Sequence, residues 1–364
     1  MLAGLFLVMA FTLNARAYPE MVRHHYVNCN SCHVSPNGGG LLNEYGRGMS
    51  AEVLSTWSYE NEALFLHGAV KPGKLPAALN IGGDVRALQV HRETKAVREG
   101  RDILMQAQVE AGVTAGPFTG VVAFGQANQE NHIEAGVPRF YLMANATENL
   151  QLRVGRFLPA FGINLPQHTY PTRGPLGFGY DGNRNTIEAN YSGDQWHGAL
   201  SASESRTNPR NGERERGVAF QLEKFIGDKY RVGVSTWNGQ SERSKRWVNS
   251  VHGILGFRED LYLLSEFAWQ SRRPTAPAAA RENGIYQFNR LGYELTKGLH
   301  VLAIEEFSKA NLKRTDSQVI SFGTGVVWYP RPHFEFEVTF NQRKILRASR
   351  EFEDYAYLMA HYYL

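Results

Sequence analysis

From Leu79 to the C-terminus, the sequence consists of short segments in which apolar and polar residues alternate. The clearest is 334–341, where Phe334, Phe336, Val338 and Phe340 alternate with polar side chains. A period of two predicts β-strands with one apolar and one polar face. We mark sixteen such segments: 79–91, 103–114, 118–127, 138–146, 149–157, 186–191, 195–204, 217–226, 229–238, 246–256, 260–270, 285–295, 299–308, 317–328, 332–342 and 354–364.

The connections between these segments alternate in length. Short turns such as 115–117 and 227–228 take turns with longer loops such as 92–102, 128–137 and 158–185. An even number of strands, joined alternately by short turns and long loops, is typical of outer-membrane barrels. We therefore predict an all-β fold, a transmembrane antiparallel β-barrel of about sixteen strands over residues 77–364, in contact with outer-membrane lipid.

The loop 158–185 is too long and too rich in proline and glycine for a simple strand connection. In position it resembles the third loop of sixteen-stranded porins, which folds into the lumen. Five of its residues would then line a constriction: His168, Tyr170, Arg173, Tyr180 and Arg184. The alternative is a surface loop whose aromatic residues pack on the barrel rim.

The N-terminus carries an apolar run at 2–13 and then Ala15-Arg16-Ala17. This pattern predicts a signal peptide over residues 1–17, so that the mature chain begins at Tyr18 outside the cytoplasm. We expect the protein in the outer membrane, with its N-terminus and C-terminus on the periplasmic side.

The chain has two cysteines, Cys29 and Cys32, and His33 follows directly. The spacing C-x-x-C-H is that of covalent haem attachment, with two thioethers to one haem and the histidine as proximal iron ligand. A disulfide, a redox-active pair or half of a zinc site are the alternatives, but a redox pair needs no adjacent histidine and a zinc site needs further ligands. The motif predicts one covalent haem c.

The segment 18–76 is too small to enclose a haem by itself. We expect it to plug the barrel lumen from the periplasmic side, with a helix over Ala51–Trp57 that is capped by Ser50.

Several residues near the motif are candidates for binding the haem. His24, His25 and Met49 are candidate distal iron ligands, and a barrel residue or an open site is the alternative. Arg47 is a candidate partner for a haem propionate, or for a lumen carboxylate.

The stretch from Cys29 to Arg47 contains C-x-x-C-H, Pro36, three glycines and Tyr45-Gly46-Arg47. It resembles the N-terminus of fused outer-membrane monohaem cytochrome–porins, such as the iron-oxidising outer-membrane cytochromes. The resemblance implies one haem in the pore. It also implies electron transfer between an extracellular donor or acceptor, Fe(II) among the candidates, and a periplasmic cytochrome c.

Two functions are compatible with these features. The first is an electron conduit, either a carrier or an extracellular Fe(II) oxidase, for which residues 130–134 offer a candidate iron contact. The second is a passive porin whose haem plug is structural or gating, with Arg86, Arg153 and Arg231 facing the lumen. A net charge of +4 is too small to indicate nucleic acid as a partner.

Overall fold

The computed structural model describes residues 18–70, 74–129, 132–167, 169–179, 182–206, 213–276, 279–347 and 351–364, with only the backbone at 127–129 and 132–134. The predicted signal peptide, His168, Tyr180 and the candidate iron contact at 130–134 lie outside the fully described residues.

Sixteen antiparallel strands form one closed barrel in which each strand pairs with the next in sequence and β1 pairs with β16. The predicted fold is confirmed. The strands are β1 (Leu79–Glu93), β2 (Arg98–Ala115), β3 (Phe118–Gln129), β4 (His132–Asn145), β5 (Leu150–Phe157), β6 (Arg184–Ser192), β7 (Trp196–Ser205), β8 (Arg216–Ile226), β9 (Tyr230–Gln240), β10 (Ser244–Arg258), β11 (Leu261–Pro274), β12 (Glu282–Thr296), β13 (Leu299–Lys309), β14 (Gln318–Trp328), β15 (Phe334–Ile345) and β16 (Glu353–Tyr363).

The two faces of the strands differ sharply in polarity. In β15, Val338 and Phe340 are each 48% exposed on the outer face, whereas Glu337 and Thr339 are fully buried inside the barrel. In β16, Leu358 is exposed and His361 and Tyr363 are buried. Because apolar side chains pointing outward are stable only in contact with lipid, the outer surface is that of a transmembrane barrel.

Two loops are shorter than the sequence predicts. β2 begins at Arg98 rather than at residue 103, and β4 begins at His132 rather than at residue 138. Outside the bilayer both faces of a strand meet water, so the backbone pairing continues where the apolar–polar alternation has ended.

The N-terminal segment is mostly irregular. It contains α1 (Glu44–Met49), a π turn (Ser50–Leu54) and 3-10 turns at Pro19–His24, Cys29–Ser31 and Phe65–Gly68. Further 3-10 turns lie at Gly174–Leu176 and Thr315–Ser317. Among the described residues, no helix is long and apolar enough to cross a membrane.

The predicted helix over Ala51–Trp57 is wrong in position. The helix begins earlier because the Asn43 side chain accepts a hydrogen bond from Gly46 N–H at 2.8 Å and caps it. Ser50 is not the N-terminal cap that the sequence predicts but follows the end of α1, and its hydroxyl bonds with the Tyr363 hydroxyl at 3.2 Å.

The N-terminal segment lies inside the barrel, at the end where the short turns are. Thr56 N–H donates to the Tyr329 carbonyl at 2.8 Å, and Arg331 forms a salt bridge with Glu62. Deeper in the lumen, Arg153 of β5 donates to the Ser35 hydroxyl at 2.9 Å. The N-terminal segment, called the plug below, therefore contacts the barrel both at its short turns and deeper in the lumen.

The residues between β5 and β6 also fold into the lumen. Tyr170 is buried and stacks on Phe288 of β12, with ring centroids 4.8 Å apart. Arg173 is buried and donates to the Phe161 carbonyl at 2.7 Å. The inward position of this loop is confirmed and the surface alternative is wrong.

Candidate functional site

The C-x-x-C-H motif forms one tight turn. Cys32 N–H and His33 N–H both donate to the Cys29 carbonyl, at 3.2 and 3.0 Å. Cys32 and His33 are buried, Cys29 is partly exposed, and neither cysteine is in a disulfide. The turn thus holds two thiols and one imidazole close together inside the barrel.

Three glycines turn the chain back towards the motif. Gly38, Gly39 and Gly40 all have φ values near +70°, a conformation that favours glycine. A Cβ at Gly38 would lie 3.4 Å from the Cys29 sulfur and 3.7 Å from the His33 ring. Because Gly38 has no side chain, an open space remains beside the Cys29 sulfur and the His33 ring. We call this space, which is bordered by Gly38, Gly39 and Gly40, the glycine cradle.

This cradle opens into a cavity with about 1430 Å³ of open space between the plug, the inner loop and the barrel wall. His33 lines the cavity from the plug, and Leu158 and Leu165 line it from the loop. A smaller cavity on the Cys29 side, with about 710 Å³ of open space, shares Gly38 and Gly39 with the first.

Three arginines line the larger cavity, Arg86, Arg139 and Arg153. Arg153 pairs with the buried carboxylate of Glu188 at 2.5 Å, and Arg139 pairs with Glu110. Arg86 donates to the side-chain oxygen of Gln106 at 3.1 Å. Guanidinium groups are suited to carboxylate ligands, which they bind through two parallel hydrogen bonds.

On the Cys29 side, Arg231 of β9 donates to the Cys29 sulfur and to the Val27 carbonyl, each at 3.1 Å. The same guanidinium pairs with Glu223 of β8. Glu223 also contacts two buried histidines at 2.9 Å, His197 of β7 and His252 of β10. Sequence analysis identified Arg231 as inward-facing but missed the cluster, because its members lie on four different strands.

The candidate distal ligands lie away from both cavities. His25 is exposed and pairs with Asp228 in the β8–β9 turn at 2.5 Å. His24 ends the Pro19–His24 turn, and Met49 is buried at the end of α1. None of the three is among the residues lining the cavities.

Arg47 also lies outside the lining of these cavities. It donates to the Asn80 side chain at 2.9 Å and to the carbonyls of Leu42 and Ile81 at 3.3 and 3.2 Å. These bonds attach the plug to β1.

His361, a barrel residue of β16, does line the larger cavity. Its Nδ1 lies 2.8 Å from a carboxylate oxygen of Glu335 on the neighbouring strand. The sequence signal that points to His361 is the alternation of β16, which places this residue on the inner face of the strand.

The residues present fit a covalent haem. Two thiols and an imidazole within one turn are the groups that haem c requires, and the glycine cradle leaves room beside them. The arginines of the larger cavity suit the propionates. Among the described residues, no cluster of three or more His, Cys, Asp or Glu side chains is arranged to hold a metal ion by itself.

No protein-family model and no curated protein sequence matches this chain. Solved structures do match its fold. OmpT of Vibrio cholerae in its trimer form is 12% identical, with a TM-score of 0.61 over 79% of this chain and 99% of that one. The outer membrane channel DcaP of Acinetobacter baumannii is 12% identical, with a TM-score of 0.59 over 79% and 97%. OmpF of Salmonella typhi, in complex with daunomycin, is 14% identical, with a TM-score of 0.57 over 79% and 97%. The chain thus has the fold of these porin-like outer-membrane barrels.

Proposed function

We propose that this barrel carries one covalent haem c in its lumen and passes electrons between an extracellular donor or acceptor and a periplasmic cytochrome c. The observation that carries the proposal is the position of Cys29, Cys32 and His33. They lie inside a closed barrel, beside a glycine cradle that opens into an arginine-lined cavity.

Each residue has a distinct task in this proposal. Cys29 and Cys32 hold the haem through thioethers, and His33 is the proximal iron ligand. Arg86 and its arginine neighbours orient the propionates through charge-assisted hydrogen bonds. Once bound, the haem supplies one-electron transfer.

Apolar side chains pack beside the smaller of the two cavities. Phe161 and Phe178 of the inner loop stack with centroids 4.0 Å apart, and Phe178 contacts Trp237 of the wall edge-on at 5.8 Å. Val22 of the plug packs with Ile163 of the loop in a second apolar cluster. Such packing lowers the local dielectric constant, and burial is one of the means by which a protein sets a haem potential.

One haem does not bridge a hydrocarbon core of about 30 Å. A partner must therefore approach the barrel mouth where the plug is attached. We assign this end, which carries the short turns and both described chain ends, to the periplasm. Periplasmic cytochrome c is the expected partner there, and the long-loop end faces the extracellular donor or acceptor, with Fe(II) among the candidate donors.

A passive porin is the second candidate function, and the structural neighbours favour it because they include an outer membrane channel. Inward-facing Arg153 and Arg231 are compatible with an anion-selective lumen. The apolar clusters of plug, loop and wall argue against it, because an aqueous channel is lined by polar side chains.

The experiment that separates these functions uses liposomes that contain the full-length mature protein, with a reduced dye inside and an impermeant oxidant outside. Electron transfer by the wild type and its loss in His33→Ala, with unchanged solute permeation, are the results expected of a conduit. Equal dye oxidation by both proteins, together with rapid solute entry, would leave the porin as the function.

A further inference from the structure

We propose that His361, a residue of the barrel wall, is the distal iron ligand of this haem. The inference rests on the proposed function, because it needs a haem attached at Cys29 and Cys32. It assigns the sixth ligand to the last strand of the barrel rather than to the N-terminal segment.

The position of His361 supports this assignment. Its side chain is 5% exposed and lines the same cavity as His33. The two histidines reach that cavity from different parts of the fold, His33 from the plug and His361 from the barrel wall. A flat macrocycle with axial ligands on both faces needs donors that approach from two sides.

The hydrogen bonding of His361 supports the assignment as well. Nδ1 lies 2.8 Å from the Glu335 carboxylate. In the tautomer that carries its proton on Nδ1, His361 donates a hydrogen bond to this carboxylate and the Nε2 lone pair is available. Nε2 is buried and has no hydrogen-bond partner in the described part of the chain, and the Asp84 carboxylate oxygen is 4.0 Å from it. A carboxylate behind a histidine is the usual support for a metal-binding imidazole.

The neighbouring strands complete this arrangement. His361 stands opposite Arg86 on β1 and opposite Glu335 on β15, so the three form one row across the wall. Tyr18, near the start of the plug, donates to the same Glu335 carboxylate at 3.5 Å. Glu335 is thus a positioning residue that acts on the iron only through His361.

The test uses purified full-length mature protein in detergent. Absorption and electron paramagnetic resonance spectra report the iron spin state, and a pyridine haemochrome assay reports the haem content. We compare the wild type with His361→Ala and His361→Gln. His197→Gln is the matched control, because His197 is another buried lumen histidine with a carboxylate partner, and His197 itself lines neither cavity.

The expected result is low-spin iron in the wild type and in His197→Gln, and high-spin iron in both His361 variants. Added imidazole is expected to restore the low-spin spectrum of His361→Ala. Glu335→Gln should remain low-spin but shift the midpoint potential upward, since a less basic imidazole stabilises the oxidised iron less well.

Other outcomes overturn the inference. Low-spin iron in His361→Ala, or high-spin iron in the wild type, would refute ligation by His361 while leaving the haem and the proposed function intact. Wild-type protein without covalent haem would refute the proposed function itself. Because haem content and spin state are measured on the same sample, the two failures are distinguishable.

Discussion

Gly46 of α1 packs directly against Cys32. A Cβ at Gly46 would lie 2.5 Å from the Cys32 carbonyl oxygen and 2.9 Å from the Cys32 Cβ. The helix that follows the motif can therefore approach Cys32 only because residue 46 has no side chain.

This contact predicts that Gly46→Ala displaces α1 from the C-x-x-C-H turn. We expect a lower fraction of protein with covalent haem, at unchanged barrel assembly, measured by haem staining of denaturing gels. Gly48→Ala is the matched control, since a Cβ at Gly48 would meet nothing within 4 Å. Alanine also has a higher helix propensity than the glycine that it replaces. Equal losses of covalent haem in both variants would mean that any change in α1, and not the loss of its contact with Cys32, lowers haem attachment.

Replacement of the cysteines tests the haem assignment directly. Cys29→Ala and Cys32→Ala should each remove one thioether and lower the yield of holoprotein, and the double variant should show no haem-stained band after denaturation. A stained band that persists in the double variant would contradict covalent attachment at these two positions.

The barrel itself predicts a characteristic electrophoretic behaviour. The closed strand ladder has no free edge and resists unfolding in detergent without heating. We expect the unheated protein to migrate faster than the boiled protein and to be recovered with outer membranes. A soluble protein with a helical circular dichroism spectrum would contradict the fold.

The buried pair of Arg153 and Glu188 predicts a large effect on stability. Their side chains are 2% and 0% exposed, and Asn37 of the plug also donates to Glu188, at 2.9 Å. Arg153→Met leaves a buried carboxylate without its cation and should cost about 3–5 kcal/mol in unfolding free energy, measured by urea titration in lipid. Arg216→Met, which breaks the exposed pair with Glu204, is the control and should change little. Similar values for both variants would refute the structural role of the buried pair.

The plug is also attached at the short-turn end of the barrel by Glu62 and Arg331, and this contact depends on pH. The hydrogen bond from Arg331 lowers the pKa of the Glu62 carboxyl below its ordinary value of 4.5. A lowered pKa means that the attachment is fully present above pH 4.5 and is lost as the pH falls through the lowered pKa.

We therefore expect faster hydrogen exchange at residues 57–69 in acid, after correction for intrinsic rates. Arg331→Gln should show the faster exchange already at pH 7. Exchange in that variant that equals the wild type at pH 7 would rule out the ion pair as the attachment.

The strands were predictable from sequence because their signal is local. The alternation of Phe334 to Phe340 reports directly on lipid outside and polar groups inside. Where the signal ends, the prediction ends too. The first residues of β2 are mostly exposed, and they were assigned to a loop, as was the beginning of β4. The helix was misplaced because Gly46 and Gly48 weaken its propensity, although Asn43 caps it.

The sequence by itself determined the strand number, the outer-membrane barrel and the C-x-x-C-H motif, because each depends on residues close together in the chain. Only the tertiary structure decided what surrounds His33. Arg47 proved to bond to β1, whereas Arg139, from a strand far along the chain, lines the cavity. The closure of β16 on β1 brings His361 to the same cavity as His33, which lies 328 positions earlier in the sequence. Barrel closure sets such long-range neighbours through strand register, and no local pattern of residues encodes them.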